Sequence, residues 1–138
     1  MYRVQTRRLA PDQVAHLITI SAPLRVDMGS GGSHMSNYAK TIELVQPLLA
    51  PMFPGNWTRS SVVSLYPSQQ IVAHCDPPIQ GVRHHIPLDL NDGCWVYHDS
   101  TWQKLEVGRV YQMDPTKPHG AVNWGATTRL HLIIDQRL

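Results

Sequence analysis

From Trp57 to the C-terminus the chain is a succession of short β-branched and aromatic runs, each cut off by Pro, Gly, Asn or Asp. This texture constrains the fold more than anything else in the sequence. Strands are predicted over 61–66, 70–76, 82–90, 94–98, 109–113, 121–124 and 128–135. Short strands at such even spacing, with no helical period between them, predict a mainly β sandwich or jelly-roll barrel rather than βαβ units. The strongest turn signal is Asn91-Asp92-Gly93, where Asp-Gly predicts left-handed backbone in a tight hairpin.

The first third has a different texture. Val14, Leu17 and Ile18 recur at helical spacing behind Pro11 and Asp12, which predicts a short amphipathic helix over 11–20. Tyr38, Ile42, Val45 and Leu49 line one face of a second helix over 37–49, in which Pro47 predicts a kink or an early end. Between them, Gly29-Ser30-Gly31-Gly32-Ser33-His34-Met35 reads either as a flexible natural loop or as a cloning scar, so His34 is no site candidate. The expected organisation is one domain over 1–138, with a barrel core over 57–138 and a linker at 29–35.

Composition narrows the function. A net charge of +2 without a basic stripe gives no indication of nucleic acid. No apolar run reaches the roughly 18 residues a membrane span needs. The N-terminus lacks the charged, apolar, small-residue order of a secretory signal. Cys75 and Cys94 are too few for a disulfide framework, so a reducing, cytoplasmic setting is expected, although one bridge is compatible with the count.

The chemistry-bearing residues converge on a metal. His74 and Asp76 are two apart at the end of a predicted strand, so both side chains face one side of it. His119, behind Pro118 at the start of another strand, is the best third ligand. Two histidines and one carboxylate form a facial triad that leaves three octahedral positions open, as non-haem Fe(II) chemistry with a chelating co-substrate and O2 requires. The His-x-Asp pair is weak by itself, because 8 histidines in 138 residues make chance pairs common. Further residues strengthen it. Arg83 and His85 share a strand face, with His84, Ile86, Leu88 and Leu90 opposite. Arg129 shares a face with His131 and Ile133 on the last strand. An Arg on a mostly apolar strand needs an anion: either the distal carboxylate of an oxo-diacid, or an ion pair with Asp135 or Asp89. Cys75 is expected as a core thiol, His84 and His98 as outward or supporting groups, and Trp95, Trp102 and Trp124 as core or rim packing. Asn123 fits either a substrate contact or a turn.

Taken in order, these motifs resemble a known family over Ser64 to Leu138. They are His74-x-Asp76, Gly81-Val82-Arg83-His84-His85-Ile86-Pro87-Leu88, Asn91-Asp92-Gly93 and Thr101-Trp102. Gly108-Arg109-Val110, His119-Gly120-Ala121-Val122-Asn123 and the closing Arg129-to-Asp135 strand complete the set. The set resembles the aspartyl/asparaginyl β-hydroxylase branch of the 2-oxoglutarate oxygenases, a group that also includes free-proline hydroxylases. The resemblance implies a double-stranded β-helix (a jelly-roll, cupin-like barrel) with one or two N-terminal helices. It further implies Fe(II) held by His74, Asp76 and His119, and 2-oxoglutarate anchored by Arg129 with help from Ser64, Arg83 and His85. The reaction implied is hydroxylation of an amino acid, free or within a peptide, as 2-oxoglutarate and O2 give succinate and CO2. Asp76 is a departure from the animal protein-hydroxylating members, which lack that carboxylate, and points toward bacterial small-molecule members. The N-terminal third matches no part of the pattern. The competing reading is a cupin-like metal barrel that is an isomerase or a ligand sensor, since one fold hosts many chemistries. Arg83 and Arg129 favour the oxygenase, because such a barrel needs no dicarboxylate anchor. The small size leaves few loops to cover a substrate, so a second copy of the chain is a candidate to complete the pocket.

Overall fold

The computed structural model describes residues 1–28 and 37–137. The expected Gly/Ser linker at 29–35 lies outside the described residues. In chain order the elements are β1 (Arg3–Arg8), α1 (Pro11–Ser21), a 3-10 turn (Ala22–Leu24), β2 (Val26–Asp27) and α2 (Tyr38–Leu49). Then follow β3 (Asn56–Leu65), β4 (Gln70–His74), β5 (Val82–Asp89), β6 (Cys94–His98) and β7 (Thr101–Gln103). The last three are β8 (Arg109–Met113), β9 (His119–Asn123) and β10 (Arg129–Arg137).

The strands alternate between two sheets as the chain advances. The large sheet has the order β1-β8-β5-β10-β3-β2 and the small one β4-β9-β6-β7. Every pairing is antiparallel except β2 on β3. From β3 onward, β3, β5, β8 and β10 fall in one sheet and β4, β6, β7 and β9 in the other, which is the winding of a double-stranded β-helix. The two sheets face each other without joining their edges into a closed barrel. The sheet framework also reaches beyond the expected core over 57–138, because β1 pairs with β8 and β2 with β3.

Period-two alternation sorts the large sheet into two faces. Val62, Ile86, Leu88, Val110, Leu130, Leu132 and Ile134 form one buried cluster with Val14 and Leu17 of α1 and Val45 and Leu49 of α2. The helices thus form a third layer on the outer face. Pro47 sits in the last turn of α2, and the helix continues past it to Leu49. Between the sheets a smaller cluster holds Leu65, Tyr111 and Met113 from the large sheet and Val96 and Ala121 from the small one, with Tyr2 beside them.

The Asn91–Gly93 turn is present, but it differs from the expected hairpin. It carries the chain from β5 in one sheet to β6 in the other, so it joins no paired strands. Cys94 N–H closes it on Asn91 O at 3.1 Å, and Asn91 Oδ1 accepts Gly93 N–H at 2.8 Å. Gly93 is required by crowding rather than by left-handed backbone, since a Cβ there would lie 2.3 Å from Gly125 N. The left-handed hairpin turn falls instead at Asp99 (φ 48°) and Ser100 (φ 70°), between β6 and β7.

Candidate metal centre

β4 and β9 are neighbours in the small sheet, and their register sets His74 opposite His119. The chain leaves β4 at His74, and Asp76 N–H is tied to Pro115 O at 2.8 Å, which returns the carboxylate to the two rings. One ligand atom from each of His74, Asp76 and His119 lies within 4.8 Å of the others. His74 Nε2 is 3.5 Å from Asp76 Oδ1, and His119 Nε2 is 3.3 Å from Asp76 Oδ2. Donors about 2.1 Å from one ion at right angles would stand roughly 3 Å apart, so the set fits a first-row metal.

The tautomers fit as well. His74 Nδ1 lies 2.9 Å from Val72 O and His119 Nδ1 2.8 Å from Lys117 O. A carbonyl can only accept, so each Nδ1 carries the proton and each Nε2 presents its lone pair to the shared point. Burial holds the His119 ring below its ordinary pKa against the opposing pull of the Lys117 carbonyl, which favours the neutral, ligating form.

Behind the triad stands a relay of charges. Arg83 Nη1 donates to Asp76 Oδ2 at 2.9 Å, while Nε and Nη2 donate to Asp135 Oδ1 and Oδ2 at 2.7 and 2.9 Å. Burial would lower the Arg83 pKa, but the hydrogen bonds and charge of Asp135 and Asp76 outweigh it and raise it. Arg83 lines the cavity as expected, with three of its five N–H groups donated to two carboxylates. It holds the Asp76 carboxylate in place.

The triad opens into a cavity of about 110 Å³ lined by Tyr2, Arg59, Val63, His85, Arg129 and Ile133 among others. Arg129 is 3% exposed, and its Nε has no hydrogen-bond partner. The alternative of an ion pair with Asp135 or Asp89 is not realised: among the described residues no carboxylate lies within salt-bridge distance of Arg129. Burial lowers its pKa, against a weaker opposing pull from Tyr2 and Cys94. His85 faces the same cavity and meets His131 at Nδ1–Nδ1 3.3 Å. Burial, then the nearby arginines, holds both rings well below the ordinary histidine pKa, so both are neutral. Burial also pushes the Tyr2 phenol up to about 12.

Ser64 is not brought to this cavity. Its neighbour Val63 points inward, so alternation turns Ser64 to the other face, where its hydroxyl donates to Val26 O at 3.2 Å. Asn123 fills the turn role: its Nδ2 donates to Leu65 O and Thr127 O, and its Oδ1 accepts from Gly125 N–H. Cys75 is exposed instead of a core thiol, and neither cysteine is bridged. Trp95, Trp102 and Trp124 are 37%, 53% and 62% exposed, which removes them from the core. His84 is buried on the helix side, its ring tilted against Phe53 with centroids 4.9 Å apart, and His98 is buried against Asp114 O. Sequence reasoning missed Tyr2 and Arg59, both of which line the cavity. Arg59 follows the inward alternation of Ser61, Val63 and Leu65, a signal that becomes readable once β3 is started at Asn56.

Fold and site together define a jelly-roll protein with three residues able to hold a metal ion and, in the adjoining cavity, an arginine with no carboxylate partner among the described residues. The family model for aspartyl/asparaginyl β-hydroxylases matches residues 24–137, and the chain belongs to that family. The L-proline cis-4-hydroxylase of Rhizobium meliloti is 36% identical over 53 residues, which cover 38% of this chain and 19% of that enzyme. The match therefore spans less than a quarter of that relative's length. Among solved structures, a conserved protein of unknown function from Streptococcus pyogenes overlaps with a TM-score of 0.44 at 19% identity, covering 58% of this chain and 65% of the other. A predicted oxalate decarboxylase from Thermotoga maritima overlaps with a TM-score of 0.48 at 16% identity, covering 69% and 76%.

Proposed function

We propose that the protein is an Fe(II)- and 2-oxoglutarate-dependent dioxygenase that hydroxylates an amino acid, free or within a peptide. The observation that carries this reading is the pairing, in one cavity, of a two-histidine, one-carboxylate triad with a buried arginine that has no counter-ion among the described residues. His74, Asp76 and His119 would hold the iron and leave three positions open, two of which suit a chelating 2-oxo acid. Iron and 2-oxoglutarate would supply the oxidising chemistry, with succinate and CO2 as by-products.

The protein's own contribution is orientation. Arg129 supplies a fixed, two-pronged donor for the distal carboxylate, in a site dry enough to make that contact strong. His85, neutral and pinned by His131, offers a hydrogen bond without adding charge. Arg83 holds Asp76 in place through a guanidinium that Asp135 locks from behind. Family membership and the proline hydroxylase among the relatives support an amino-acid substrate, which makes L-proline the first to assay.

The test is an anaerobic titration of Fe(II) and 2-oxoglutarate, watched for the weak visible metal-to-ligand charge-transfer band. A band that needs both additions and is lost in Arg129→Ala is the expected result. Bound metal without any band would overturn the oxygenase reading in favour of a metal barrel of another chemistry.

A further inference from the structure

The cavity holds a second cation that the co-substrate does not account for. Arg59 lies on the inward face of β3 and lines the cavity with the triad and Arg129. Its guanidinium carbon lies 4.9 Å over the Tyr38 ring, and its buried Nε has no hydrogen-bond partner. No carboxylate of the described residues lies within salt-bridge distance of Arg59. The carboxylate nearest in register is Asp135, directly opposite on β10, but both of its oxygens are taken by Arg83. Burial, then the like charge of Arg83, lowers the Arg59 pKa against weaker opposing pulls from Tyr38, Asp135 and Asp76.

Register separates the two unpaired arginines. Arg59 pairs with Asp135, whereas Arg129 pairs with Leu65, six positions away on β10 and so roughly 20 Å along the strand. They enter the cavity from opposite ends of its floor. Arg59 enters at the end where Arg83 reaches the metal carboxylate. A 2-oxo diacid directs one end to the metal and the other to Arg129, so it has no carboxylate left for Arg59. Among the described residues, three guanidiniums (Arg59, Arg83, Arg129) meet two carboxylates here, Asp76 and Asp135. A divalent metal and a dianionic co-substrate cancel each other and leave that one-charge excess in place.

We infer that Arg59 is the specificity-determining residue for the primary substrate, and that this substrate presents a free carboxylate to it. The inference rests on the oxygenase reading for the identity of the other ligands. It assigns Arg59 to substrate recognition, selects free acids or C-terminal residues over internal peptide positions, and leaves co-substrate binding to Arg129.

Calorimetry on Zn(II)-loaded protein saturated with 2-oxoglutarate tests this without turnover. The probes are free L-amino acids, L-proline among them, and the matching carboxamides. At least one acid should bind, its carboxamide should bind tenfold or more weakly, and Arg59→Met should abolish that preference. Arg59→Lys, which keeps the charge but loses the planar fork, should recover part of it. Affinity for Zn(II) and for 2-oxoglutarate should stay within about twofold in both variants, which also reports an intact fold. Carboxamides binding as well as acids, or no acid binding at all, would overturn the inference. So would an equal loss of 2-oxoglutarate affinity in Arg59→Met, which would make Arg59 part of the co-substrate site. Failure of 2-oxoglutarate to bind the wild-type protein would sink the oxygenase reading instead, and an Arg59-dependent preference for acids over amides would survive it.

Discussion

The outward residues of β10, Leu130, Leu132 and Ile134, are almost fully buried against the helix layer. On the inward face of the same strand, Arg129, His131 and Asp135 are equally buried yet polar, and they face the small sheet. The outward row stabilises by removing aliphatic surface from water, roughly 25 cal/mol per Å². The inward row costs desolvation energy, which only specific partners offset. Asp135 has such a partner in Arg83, whereas the Arg129 guanidinium has no counter-ion among the described residues. Burial with full satisfaction marks the support of the site, and burial without it marks where a ligand belongs.

The two rows should therefore fail differently, and the largest effect comes from the site. His119→Ala, His74→Ala and Asp76→Ala should each abolish metal binding and 2-oxoglutarate turnover while leaving the helix-covered core intact. Turnover retained in all three variants would break the triad assignment. Leu132→Ala, on the outer row, should do the reverse. It should cost about 2–5 kcal/mol of stability as read by urea denaturation, with iron stoichiometry unchanged in the protein that remains folded. If Leu132→Ala spared stability and removed iron, the division of labour between the faces would be wrong.

At the far end of the inner row, Arg129→Ala should raise the KM for 2-oxoglutarate by about 10- to 100-fold, one to two factors of ten at 1.4 kcal/mol each. Iron affinity should hardly move, because Arg129 touches no ligand of the metal. Steady-state kinetics beside an iron titration separates these. Equal losses in both would indicate a collapsed cavity rather than a missing anchor.

Much of this is legible in the amino-acid pattern alone. β6 and β8 fall on the residues expected from alternation. The His74 and Asp76 candidates come from a spacing of two, His119 from the Pro-bounded start of β9, and Arg129 from its place on an apolar strand. What escapes the pattern depends on tertiary pairing. β1 is Arg-rich and half exposed, so its sequence carries no hydrophobic alternation, and it becomes a strand through β8. β2 has two residues and β7 three, too few for a period to register. β3 runs five residues earlier than expected because β10 supplies a ladder to polar Asn56, Thr58 and Ser60. That extension hid Arg59. The Arg83–Asp135 bond joins residues 52 apart, and only the β5–β10 register decides that Asp135 serves Arg83 and leaves Arg129 alone.

The smallest predicted effect compares the two faces through their histidines. His85 and His131 on the inner row are held well below the ordinary pKa by burial and neighbouring arginines, and His84 on the outer row is lowered by burial. A lowered folded pKa means the unfolded chain takes up protons first as pH falls. The metal-free protein should thus begin to lose stability near pH 6.5, by up to about 1 kcal/mol for each of these histidines over the next unit below it. Urea midpoints near pH 7.5 and near pH 5.5 measure this. His85→Asn should flatten the profile more than His84→Asn, because the arginines act most strongly on the inner face. A stability that held or rose on acidification would mean these rings fold protonated. Two further cations would then sit beside Arg129, and the cavity would need more negative charge than one diacid and one substrate carboxylate can bring.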